Sequence, residues 1–322
     1  MKTLPWLFRR EFWENKGGFF WAPIVASSAF LVLTLMGVVT AEVVGNKSGV
    51  QINGIHLDSL TKTLGPEALS RLGIAFDAAF FMACSWAFVT LAFVVFFYCL
   101  GSLFDERKDR SVLFWKSLPV SDRDTVLSKV ASAIVIAPVI ATVTGIIAGF
   151  GFLTLLSALV MFHGGNAFTL IWGPASPLNV AFALLAALPV YAVWALPTVG
   201  WLMLCSAFAK SKPFLWAVVI PVLSGVLVTW FDLMQLFSLN TSWYWSHVVA
   251  RLLGSALPGA DIVFRGTAQG FENMNGPEDF AALLSANHAW AGLASIDVWM
   301  WAAAGAAMIV AAIRLRRWRE DA

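Results

Sequence analysis

The chain has 322 residues, of which 59% are hydrophobic and 12% charged, with a mean hydropathy of +0.78. Such a composition excludes a soluble globular domain. A net charge of +2 with no long basic tract also gives no footprint for nucleic acid.

Residues 1–18 interleave Leu4, Trp6, Leu7, Phe8, Phe12 and Trp13 with Lys2, Arg9, Arg10, Glu11, Glu14 and Lys16. Leu4, Phe8 and Phe12 align at i, i+4 spacing, which predicts a helix lying in the headgroup region. A signal peptide would have a shorter charged region and a shorter apolar run, so we read an uncleaved anchor.

A first span follows over 19–44, without charge before Glu42. Residues 45–73 are polar and read as an exposed loop, and a second span covers 74–103. Asp77, near its outer end, reads as a solvated interface residue. A third span covers 130–162, with Pro138 expected to kink it and Gly145 and Gly149 spaced for close helix packing. The neutral turn HGGNAFTLIWGPASP leads to a fourth span over 178–209, interrupted by Pro189 and Pro197, read either as a hinge or as a plain bend. The fifth span is 214–230, and the sixth, 296–313, ends in RLRRWRE. Between them, 231–294 is rich in Trp, Gly and Asn and too broken to span. Its segment 242–257 suits an amphipathic or re-entrant helix, with Trp243, Tyr244 and Trp245 at headgroup depth.

Lys and Arg set the orientation. Sixteen fall in the N-terminus, the 104–129 loop, the 210–212 loop and the C-terminus, against five in the remaining loops. Positive residues stay cytoplasmic, so both termini and the 104–129 loop are expected inside. The expected fold is therefore an all-α polytopic membrane protein. It comprises an interfacial helix over 1–18 and one six-span domain over 19–322.

The loop 104–129 (FDERKDRSVLFWKSLPVSDRDTVLSK) holds six basic and five acidic residues around an apolar patch of Val112, Leu113, Phe114, Trp115 and Leu118. It cannot lie in hydrocarbon. Pro119 stops what precedes it, and Ser121 with Asp124 forms a capping-box-like helix start. A solvated loop with topogenic charges is one reading, but it leaves the exposure of Phe114 and Trp115 without a reason. The run Glu106-Arg107, Ser111, Phe114-Trp115, Leu118-Pro119-Val120-Ser121 and Lys129 resembles the first cytoplasmic loop of ABC exporter permeases of the type-2 family. The resemblance implies that this loop docks on a separate ATPase subunit through a short coupling helix. Glu106, Arg107, Arg110, Val112, Leu113, Phe114, Trp115 and Leu118 are then the docking residues.

It also implies two permease chains, as a homo- or heterodimer, with two ATPase subunits in a bacterial inner membrane, and short outer helices between the fifth and sixth spans. ATP and Mg would be held by the partner. This chain has no GxxxxGK[ST] loop, no HExxH and no nucleophile elbow, so no catalytic, cofactor or metal residue is expected in it. The four histidines fall in expected outer loops. Cys84, Cys99 and Cys205 lie in apolar runs and read as small hydrophobes. Mid-span ionisable groups, which ion-driven carriers need, are missing. The alternatives are a membrane anchor or assembly protein without transport, and a channel or secondary carrier.

Overall fold

The computed structural model describes residues 3–47, 65–109, 121–235, 240–259 and 290–319. Among them no strand occurs, and six helices are long and apolar enough to cross a membrane. A run of 21 helical residues measures about 32 Å, the thickness of a bilayer's hydrocarbon core.

Helix α1 (Thr3–Glu14) leads through a π-helical turn at Gly17–Trp21 into α2 (Ala22–Lys47). The turn falls just ahead of Pro23, whose missing N–H breaks the regular ladder. The same device recurs in the third span. There α5 (Asp122–Ala131) meets α6 (Ala137–Phe162) across a π-helical turn at Ser132–Ile136, just before Pro138. Between these lie α3 (Pro66–Gly101) and the short α4 (Phe104–Lys108). The second span thus starts eight residues earlier than its apolar run, at a proline that suits the first helical turn.

The fourth apolar stretch departs from the expected single span over 178–209. It forms α7 (Pro177–Ala186) and, after Ala187, α8 (Leu188–Phe208). Pro189 therefore marks a helix start, where its lost donor costs nothing, and of the two prolines Pro197 alone lies in the interior of α8. The neutral turn before it also has structure. Phe168–Trp172 form a π-helical turn that buries Leu170 and Ile171 against Phe80 and Leu153. Helix α9 (Pro213–Leu233) is the fifth span.

From Asn240 the chain turns back into the bundle as α10 (Thr241–Tyr244), a π-helical turn (Trp245–Val249) and α11 (Ala250–Gly254). Thr241 donates to Asp232 at 2.7 Å and Tyr244 to Ser224 at 2.9 Å, so the segment runs antiparallel to α9. Deeper in, the Thr198 hydroxyl donates to the Arg251 carbonyl, and the Tyr191 hydroxyl to that of Ala256, both at 2.9 Å. These bonds fold 242–257 back against α8 and α9. The sixth span is α12 (Ile296–Arg319).

The main core joins α3, α5–α6, α8 and α12 through Val95, Cys99, Val126, Val130, Val199, Leu202 and Ile309. Small residues set its spacing. A Cβ on Gly305 would lie 2.5 Å from the Leu196 backbone, and one on Gly149 2.7 Å from the Phe80 ring. By contrast α2 is apolar yet outward-facing, with Val25, Leu33 and Met36 about 60% exposed, as suits a helix against lipid.

Candidate functional site

At the end of the bundle where the 110–120 segment leaves and returns, charged side chains converge from four elements. Helix α1 turns Leu7 and Glu11 inward and leaves Trp6 and Trp13 outside. Glu11 is 1% exposed. It accepts from the Tyr98 hydroxyl at 2.8 Å and pairs with the Lys129 ammonium at 3.1 Å. Lys129, itself 4% exposed, also pairs with Glu106 at 3.0 Å.

Glu106 is the hub. Besides Lys129 it meets Arg10 at 3.3 Å through one carboxylate oxygen and Arg316 at 3.1 Å through the other. Arg316 continues to Asp122 at 3.4 Å, and Arg10 to Glu14 at 2.7 Å. Burial would lower the Arg10 pKa, yet the carboxylates of Glu14, Glu11 and Glu106 raise it above the usual arginine value. One carboxylate thus ties α1, α4, α5 and α12 together. A buried ion of this kind is stable only while its partners stay in place, and removing one partner costs about 3–5 kcal/mol.

A second device fixes where the loop begins. The Ser206 hydroxyl, near the end of α8, accepts from the Leu103 and Phe104 amides at 3.1 and 3.0 Å. Arg107 in turn donates to the Ser206 and Ala209 carbonyls at 2.5 and 3.0 Å. Each helix end satisfies backbone groups that the other leaves open. The loop's return is capped as its sequence requires, with the Ser121 hydroxyl accepting from the Asp124 amide at 3.1 Å.

Of the eight expected docking residues, Glu106 and Arg107 are described, and both turn into their own chain. They hold the root of the 110–120 segment to the bundle. Arg110, Val112, Leu113, Phe114, Trp115 and Leu118 lie outside the described residues.

Glu11, Tyr98, Asp122 and Arg316 escaped the sequence reading. Arg316 did carry a signal. It falls at helical spacing after Ile309 and Ala312, both buried, so the core face of α12 runs on into the charged tail. Glu11 sits one turn after buried Leu7. An acid on the inward face of an amphipathic helix calls for a partner.

At the opposite end, Arg251 of α11 is 5% exposed. It pairs with Asp297 at the start of α12 and lies over the Trp194 ring, 4.4 Å from its centroid. Burial lowers its pKa, against the pull of Asp297. Asp77 accepts from the Ser176 amide and hydroxyl, both at 2.8 Å, and so closes the junction before α7. Among the described residues no group of three or more His, Cys, Asp or Glu is placed to hold a metal. Compared with family models, curated proteins and solved structures, the chain matches none.

Proposed function

We propose that this chain is the membrane-spanning permease subunit of an ATP-driven exporter, similar to the type-2 family, with ATP hydrolysed on a separate subunit. The single observation that carries the reading is the Glu106 hub at the root of the 110–120 segment. A loop that merely connects two spans needs no buried ion network at its base. A loop that receives force does, because its motion must reach the bundle.

In this reading the ATPase binds 110–120 from the cytoplasm, where both termini also lie. Closure of the ATPase pair displaces the loop, and the displacement enters the protein at α4 and α5. Through Glu106 and Lys129 it passes to the interfacial helix α1 and to α12. The buried ions move as a unit, since separating any one of them leaves an uncompensated charge. The apolar span interiors, without mid-span carboxylates, suit a pump powered from outside the membrane.

The test is reconstitution in proteoliposomes with and without an ABC ATPase subunit. The chain alone is expected neither to bind ATP nor to move cargo on a proton gradient, and with the ATPase to support transport that stops when ATP is withdrawn. Gradient-driven uptake without any ATPase would overturn the reading.

A further inference from the structure

Beside the ion cluster, a cleft of about 520 Å³ opens between the elbow joining α1 to α2 and the last turns of α3. Its two halves differ in chemistry. One wall is apolar, made by Phe19, Val94, Phe93 and Phe97. Phe93 and Phe97 are 63% and 58% exposed, so this wall runs on without a break onto the lipid-facing flank of α3. The other half is polar, with Glu14, Asn15, Ser102, Asp105, Glu106 and Lys129. The cleft exists because Gly18 brings the elbow against α3, where a Cβ would meet Val94 at 3.3 Å.

The polar half is acidic in effect. Its one cation, Lys129, is already held by Glu11 and Glu106, at 3.1 and 3.0 Å. Asp105 is exposed and, among the described residues, has no cationic partner. Glu14 gives one oxygen to Arg10. A negatively charged headgroup entering here meets carboxylates, and a positively charged one finds two.

From this we propose that the cleft is a binding site for an aminophospholipid. The headgroup ammonium pairs with Asp105 and Glu14, and an acyl chain lies along Phe93 and Phe97. The site stands independently of whether the chain exports anything. Its occupant would brace the elbow beside Glu106.

The experiment uses the full chain in detergent, with native mass spectrometry of bound dioleoyl phosphatidylethanolamine and dioleoyl phosphatidylglycerol. Retention of the amine lipid is expected to exceed that of the anionic lipid about tenfold, equivalent to roughly 1.4 kcal/mol. Asp105→Asn should remove the preference, and Asp105→Lys should reverse it. Both variants change an exposed side chain, so elution as the folded species is expected and serves as the control. Soluble phosphoethanolamine, which has the amine but no chains, should fail to compete. Equal retention of the two lipids, a preference unchanged in Asp105→Asn, or competition by the free headgroup would each overturn the proposal.

Discussion

Arg107 and Ser206, 99 residues apart, cap each other's helices: the arginine donates to the serine's carbonyl, and the serine's hydroxyl receives the amide of Phe104. The second and fourth spans are thereby joined at the point where the 110–120 segment departs. Replacing Arg107 by Ala opens the α8 carbonyls and should lower stability by about 1–3 kcal/mol. Thermal unfolding in detergent reads this, and Arg107→Lys should recover only part of the loss, since one ammonium cannot match the guanidinium fork. A wild-type melting temperature in Arg107→Ala would mean that the cap is incidental.

For Glu106 and Lys129 a double-mutant cycle is the appropriate measurement. Glu106→Gln leaves three cations facing a neutral amide and is expected to destabilise by about 3–5 kcal/mol. Lys129→Met should cost a similar amount, because it strips Glu11 and Glu106 of their shared partner. The double variant should cost less than the sum. Strict additivity would show that the two residues do not act as one unit.

The contact between α8 and α12 makes a steric prediction. Gly305→Val places methyl groups where the Leu196 and Pro197 backbone stands, whereas Gly37→Val adds them in open space on α2. The first should abolish monodisperse behaviour on size exclusion, and the second should leave it unchanged. Equal behaviour of the two variants would refute the close approach.

The charge asymmetry predicts topology. Reporters after Asn46, near Asn166 and near Asn275 should be outside, and those after Arg110, at Lys212 and at the C-terminus inside. An inside signal at Asn275 would require a different number of crossings.

The spans were legible in the sequence because twenty apolar residues in a row have few other uses. The small-residue pair Gly145 and Gly149 was legible too, as the packing seam against Cys84 and Phe80. What the pattern hid was the break at Ala187. Apolar residues continue through it, so hydropathy does not change where one helix ends and the next begins. The ion cluster was hidden for another reason. Glu11, Glu106, Lys129 and Arg316 each look like ordinary interfacial charges, and only the fold shows that they face one another. The inward contacts of Glu106 and Arg107 were hidden likewise, since the resemblance names them for docking and only the fold shows what they touch.

In the proposed function the 110–120 segment receives an ATPase and the Glu106 hub backs it. The most direct measurement is ATPase association with the variant in which Phe114 and Trp115 are both Ala. Truncating such an aromatic pair at an interface centre costs on the order of 2 kcal/mol or more. Association should therefore weaken by a factor of tens, while insertion, the six-span topology and thermal stability are preserved. A double variant that inserts, keeps its ATPase at wild-type affinity and supports normal ATP hydrolysis would contradict the claim and leave the segment a connector between two spans.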